Sequence, residues 1–159
     1  MLAKDFYKII SSEDAAVSYL RDHGLLDQVD SVPPCHKCGS VMKESKKRNR
    51  KGDFVPILRC PKKGCQIYRS IRDGNKFFHY SDLNGKVNSR LSLCEILELV
   101  YYFVHETPIN ITIQLTGKSP NTITDWFNMC REVCGVIVSC QTRGKMVGTE
   151  GNPIQIDEA

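Results

Sequence analysis

Four cysteines carry the clearest chemistry in this chain: Cys35-x2-Cys38 and Cys60-x4-Cys65, with 21 residues between the pairs. Two thiolates two residues apart close a tight knuckle whose sulfurs converge on one tetrahedral cation, and a second pair completes a closed four-thiolate shell. A closed shell suits a structural metal rather than a catalytic one, and Zn2+ is the expected occupant in preference to iron. Lys43, Lys46, Lys47, Arg48, Arg50 and Lys51 lie between the pairs, and Lys62 and Lys63 lie inside the second. The spacing is that of a zinc ribbon, in which the metal would staple a short hairpin that presents cations. Ribbons of this kind commonly meet nucleic acid. His36, inside the first knuckle, is not needed as a ligand because four sulfurs already fill a tetrahedron.

Charge is strongly segregated. The whole chain carries a formal +4, but from Lys43 to Lys76 twelve Lys or Arg face three acids, a net +9, which leaves −5 for the rest. That pattern fits a polyanion bound at the central segment, with a solvated lysine-rich loop as the plainer alternative. Residues 46–51 also read as a nuclear import signal. The N-terminus lacks the apolar run of a signal peptide, and the most apolar stretch, Leu91 to Val104, is broken by Glu95 and Glu98. The expectation is an intracellular protein, nuclear if the source is eukaryotic and otherwise cytoplasmic, with no membrane or small-molecule partner. In a reducing compartment the remaining cysteines, Cys94, Cys130, Cys134 and Cys140, are expected as buried thiols on apolar helical faces.

The elements that must position these groups can be read from period and punctuation. Ser11 and Ser12 precede the acidic turn Glu13-Asp14, predicting a helix that runs to Asp22, stops at Gly24 and packs Leu20, Leu25 and Leu26. Segments 54–59 and 66–72 are strand-like and form an antiparallel hairpin around the metal, and 76–80 adds a short strand after a turn at Asp73-Gly74-Asn75. From Leu91 the period becomes helical: Leu93, Ile96, Leu97, Val100, Phe103 and Val104 share one face, opposite Glu95, Glu98, Tyr102 and His105. Between Thr107 and Gly117 the isoleucines alternate as in a strand. Thr107 as cap, Pro108 at the first helical position and Gly117 just past the end favour a short helix instead. A long helix opens at Ser119-Pro120 and buries Ile123, Trp126, Phe127, Cys130, Cys134 and Ile137. Trp126 on that stripe reads as a core anchor rather than a base-stacking platform. His23, His79 and His105 have no partner carboxylate at a persuasive spacing and read as surface or capping residues.

The fold class is therefore α+β in small modules. Residues 1–30 form an N-terminal helical segment, 31–80 a four-cysteine ribbon, 88–141 a helix-turn-helix with a long last helix, and 142–159 a tail. A helix-turn-helix would lay its capped helix in a DNA major groove, with Asn121, Thr122, Thr124, Asp125 and Asn128 nearest the bases. Asp125 and Glu132 repel phosphate, so double-stranded DNA would owe its affinity to the ribbon and its selectivity to this helix.

The order of parts resembles that of a known family. An N-terminal helix is followed by the Cys35/Cys38 and Cys60/Cys65 ribbon, Ser70-Ile-Arg72 leading to Phe77-Phe78, and a helix ending in Tyr101-Tyr-Phe103. Asp125-Trp126, Arg131-Glu-Val-Cys134 and Ile154-Gln-Ile-Asp-Glu158 complete the likeness. Together they resemble the N-terminal half of Merlin-type transposases, eukaryotic DNA transposons related to a group of bacterial insertion sequences, over nearly the whole chain. The resemblance implies a ribbon and helix-turn-helix that hold the transposon end. It also implies an RNase H-like domain in which three acids bind Mg2+, with Asp157 at the first acidic position. The other two acids are not among these 159 residues, so the chain as given is expected to bind DNA without cutting it. The alternative is a zinc-stapled protein-interaction module derived from a transposon, using Phe77, Phe78, Tyr101 and Tyr102 against a partner or a second copy of itself.

Overall fold

The computed structural model describes residues 2–28, 31–49, 52, 54–79 and 91–142. Two short helices open the chain: α1 (Ala3–Ile9) and α2 (Glu13–Asp22). Only α2 announces itself in the sequence. Ser12 Oγ accepts from the Ala15 amide at 3.1 Å, and the helix closes at Gly24 with φ +68°. There the Leu25 amide reaches back to Leu20 O and the Gly24 amide to Arg21 O, a left-handed stop that satisfies two terminal carbonyls. Leu20 and Leu26 are buried as expected, whereas Leu25 is 46% exposed. The one buried side chain of the unforeseen helix α1 is Phe6, which stacks on Tyr101 at 4.2 Å between centroids.

A three-stranded antiparallel sheet follows, in the order β1 (Lys43–Arg48), β2 (Phe54–Arg59), β3 (Tyr68–Ser70). The basic insert is thus a strand in its own right, paired along its whole length with β2 from Lys43 opposite Arg59 to Arg48 opposite Phe54. The expected strand at 76–80 does not form, because residues 76–78 are turn. Asn75 Oδ1 accepts from the amides of Phe77 and Phe78 at 2.9 and 3.1 Å, and this side-chain turn competes successfully with extended backbone.

Among the described residues three further helices follow: α3 (Leu93–Val104), α4 (Ile109–Thr116) and α5 (Pro120–Thr142). The segment with alternating isoleucines is helical. Thr107 is not its cap: Pro108 takes that position, and Gly117 ends the helix at φ +64°. On α3 the buried set is Leu93, Ile96, Leu97, Leu99 and Tyr102, so the stripe is rotated from the expected one, and Val104 is 66% exposed. The rotation brings Tyr102 under α1, where its hydroxyl lies 3.5 Å from that of Tyr7. On α5 the stripe of Ile123, Trp126, Phe127 and Cys130 is buried, and every residue from 131 to 141 is exposed. The expected burial of Cys134 and Ile137 fails because the packing partners α3 and α4 end before the helix does. Cys140 is exposed as well.

Buried side chains from all three expected segments form one continuous cluster, from Phe6 and Leu20 through Met42, Leu58 and Phe78 to Ile96, Trp126 and Phe127. Trp126 meets Phe77 edge-on at 5.5 Å, and Phe103 meets Phe127 likewise. Among the described residues, no helix is long and apolar enough to cross a membrane.

One local strain yields a test. Glu106 follows α3 at φ +51°, a left-handed position that costs a residue with a Cβ about 1–2 kcal/mol. The Thr107 amide bonds Tyr102 O at 2.9 Å across this stop. Glu106→Gly is expected to stabilise the fold by about 0.5–1 kcal/mol, read as a higher urea midpoint at unchanged m-value.

Candidate metal centre

Each cysteine pair sits on a turn whose backbone is bent by left-handed residues. In the first knuckle the Cys35 amide donates to Ser40 O at 2.9 Å and the Gly39 amide to Cys35 O at 2.8 Å, with Gly39 at φ +69°. The second knuckle must absorb two more residues between its sulfurs. It does so with Gly64 at φ +83° and Gln66 at φ +46°, while the Cys65 amide donates to Lys62 O and the Cys60 amide to Ile67 O. Strands β2 and β3 meet at this second knuckle, so the sheet fixes where Cys60 and Cys65 stand.

The four sulfurs converge. Cys35 Sγ lies 3.6 Å from Cys65 Sγ, and Cys38 Sγ lies 3.4 Å from Cys60 Sγ. All four lie within 4.8 Å of one another. A disulfide needs about 2.05 Å, so neither close pair is one. A zinc ion with four bonds of about 2.3 Å at tetrahedral angles places its sulfurs about 3.8 Å apart. The residues present therefore fit a four-thiolate divalent cation, and Cys35, Cys38, Cys60 and Cys65 would hold it. Bound there, the cation would supply cross-linking between the two knuckles.

As thiols the four are not equivalent. The Ser40 hydroxyl, 3.4 Å from Cys38 Sγ, and the Ser40 backbone amide hold Cys38 down at about 6. Burial pushes Cys60 up to about 12. Cys38 and Cys65 are half-buried, whereas Cys35 and Cys60 are 2% and 0% exposed. Away from the cluster, burial likewise raises Cys94 to about 12 and Cys130 to about 11, values suited to inert packing thiols. His36 is exposed and outside the cluster. His79, expected to lack a carboxylate partner, has one: its Nδ1 is 2.8 Å from Asp73 Oδ1.

The strand pleat divides the expected DNA-binding cations into two sets. Glu44, Lys46 and Arg48 alternate with Lys43, Ser45 and Lys47 and point to opposite faces of the sheet. The first set faces α2: Lys46 is ion-paired with Asp14 and Glu44 with Arg21. Arg48 donates to Gly52 O at 3.0 Å, and its guanidinium lies 5.5 Å from the Phe54 ring. Lys43 and Lys47 are exposed on the other face, and Lys47 Nζ lies 3.7 Å from the centre of the Tyr68 ring. Lys62 and Lys63 are exposed on the second knuckle. Arg59 and Tyr68 join the outward set, and only strand alternation, not the run of basic letters, would have found them.

On α5, Asn121 and Asn128 are exposed, whereas Thr122 and Thr124 are half-buried. Thr122 is committed to the cap, with its amide on Ser119 Oγ at 3.2 Å, and Asn128 accepts from Arg131 at 2.6 Å. Phe78 and Tyr102, expected on a partner-binding surface, are 4% and 8% exposed, and Phe77 packs on Trp126. Phe78 and Tyr102 belong to the interior, whereas Phe77 and Tyr101 are half-buried. Arg50, Lys51 and Asp157 lie outside the described residues. Comparison of the chain with protein-family models, with curated proteins and with solved structures finds no match.

Proposed function

We propose that this chain is a zinc-stapled DNA-binding module, and more finely the part of a Merlin-type transposase that holds a transposon end. One observation carries the reading: four sulfurs converge at the root of a sheet whose first strand bears Lys43, Lys46, Lys47 and Arg48. A closed thiolate shell does no chemistry on a substrate, and here it fixes the strands that display Lys43, Lys47 and Arg59 on one face. The helix-turn-helix order supports the finer part. A three-residue turn, Gly117 to Ser119, joins α4 to a capped α5 whose first turns expose Asn121, Asp125 and Asn128. Phosphate attraction comes from the sheet and the second knuckle, and base selection from α5.

Duplex binding measured by fluorescence anisotropy at several salt concentrations tests this. If Lys43, Lys47, Arg59, Lys62 and Lys63 each neutralise one phosphate, log K falls against log salt with a slope of about −4.5. Equal affinity for a transposon terminal repeat and a shuffled duplex at every salt concentration would remove the selective, end-binding part of the reading. A flat salt response would remove the phosphate contacts altogether.

A further inference from the structure

The outward face of the sheet is built differently from a surface that merely attracts phosphate. Register places Lys43, Arg59 and Tyr68 side by side across the three strands, because Lys43 pairs with Arg59 and Arg59 pairs with Tyr68. Lys47 stands opposite Val55 on the same face, and half-buried Ile57 lies between the two rows. No acidic residue occupies any paired position on this face. Glu44, the one acid among the strands, is turned inward to Arg21. At the edge-strand end of this row is an aromatic ring that the core does not use: Tyr68 is 55% exposed, and the Lys47 ammonium lies over one side of the ring. Arg59 is braced by Gln66, whose Oε1 accepts from Nη2 at 3.1 Å.

We infer that this face, Tyr68 on the edge strand with Lys47 and Arg59 beside it and Lys43 across the sheet, is a binding platform for unpaired nucleotides of single-stranded nucleic acid. The inference rests on the nucleic-acid reading above and deepens it. In a duplex the base faces are hidden in the stack and only edges and phosphates are presented, so an exposed flat ring gains nothing there. A splayed base offers a π-face of its own. Stacking on an exposed aromatic ring with cations placed for the flanking phosphates is how sheets bind single strands without reading sequence. The sheet supplies the rigidity: three antiparallel strands anchored at one end by the thiolate cluster hold the ring and the cations in a fixed frame. Ile57, one pair along on the same face, adds an apolar floor beside the ring. An acidic peptide would meet the same cations but would have no use for the ring, which is what separates the two ligand classes.

The test uses the full chain with one equivalent of Zn2+, a fluorescein-labelled 15-nucleotide oligothymidylate and a labelled duplex of arbitrary sequence, all at the same low salt. Tyr68→Ala is expected to weaken oligothymidylate binding about 5- to 150-fold, the worth of one stacked base. Tyr68→Phe, which keeps the ring and loses the hydroxyl, is expected to stay within about twofold of the parent protein, and duplex affinity is expected to be unchanged by either. Unaltered metal content and thermal midpoint show that the variants are folded. Parent protein that binds duplex but not oligothymidylate overturns the platform and leaves the DNA-binding reading standing, and protein that binds neither overturns both. If reversing Lys43, Lys47 and Arg59 to Glu abolishes oligothymidylate binding while Tyr68→Ala leaves it intact, the face attracts polyanions only and the platform is overturned. Equal losses on duplex and single strand with Tyr68→Ala also overturn it.

Discussion

Stripping the metal from the zinc-loaded protein with a strong chelator is expected to abolish the sheet. Binding to a four-thiolate site contributes roughly 10–16 kcal/mol at neutral pH, which equals or exceeds the whole stability of an ordinary domain, roughly 5–15 kcal/mol. The sheet has little else to hold it. The β1 side chains are exposed apart from half-buried Ser45, β3 is three residues long, and Leu58 is the only strand residue that is fully buried. Circular dichroism and metal analysis check this together: one Zn2+ per chain before chelation, and loss of ordered signal in step with loss of metal. Cys60→Ser is expected to reproduce the loss, because Cys60 is 0% exposed and its hydroxyl replacement is a poor ligand. Since every sulfur that binds metal must shed its proton, occupancy should fall as pH falls, and the unfolding midpoint with it. A chain that stays folded and keeps its sheet after complete metal removal would sink the stapling argument.

The second large effect centres on Glu13. Its carboxylate accepts from the Leu93 and Cys94 amides at 2.9 and 3.3 Å, and it is ion-paired with Arg72 at 3.2 Å. Ser92 Oγ accepts from the Glu95 amide and Glu95 accepts from the Ser92 amide. All four amides that the start of α3 leaves without a helical partner are thereby satisfied, two of them by a residue eighty positions away. Negative charge at a helix N-terminus adds to the attraction. Arg72 completes the junction by donating to Leu91 O at 2.8 Å. The two side chains are 16% and 13% exposed. Burial disfavours the Arg72 cation and Glu13 opposes that, so removing the acid strands a buried charge as well as two amides. Glu13→Ala is expected to cost about 3–5 kcal/mol, measured by urea unfolding with metal held saturating. Arg72→Met should cost much less in the Glu13→Ala background than alone, since the stranded charge is then gone. Additive losses would mean that the pair is not coupled.

The junction explains what sequence reading reaches and what it does not. Cys35, Cys38, Cys60 and Cys65 are legible because metal ligation imposes a short local spacing, and two turns of correct chemistry suffice to express it. Ser12, Pro120 and Gly117 are legible for the same reason: capping is a contract between residues three or four apart. The role of Glu13 is not local. Nothing in its own segment distinguishes it from Asp14, which sits on the surface with Lys46. The rotated stripe of α3 has a related cause, because period fixes which residues share a face but not which face α1 and α2 will cover. Likewise α5 carries apolar residues past Cys130 at unbroken helical spacing, and only the lengths of α3 and α4 decide that Val133, Val136 and Ile137 stay exposed.

Lys46 and Lys47 are adjacent, identical in letter, and differently employed: one pairs with Asp14 of α2 at the surface, the other looks outward beside an aromatic ring. What separates their fates is an odd-or-even count along the strand. A single codon gained or lost at Ser45 would exchange the faces of Lys43 and Glu44 while Lys46 and Lys47 keep theirs, setting Glu44 among the outward cations. The basic stretch therefore tolerates swaps between lysine and arginine far better than any change in its length, even though an average over its charge would look the same.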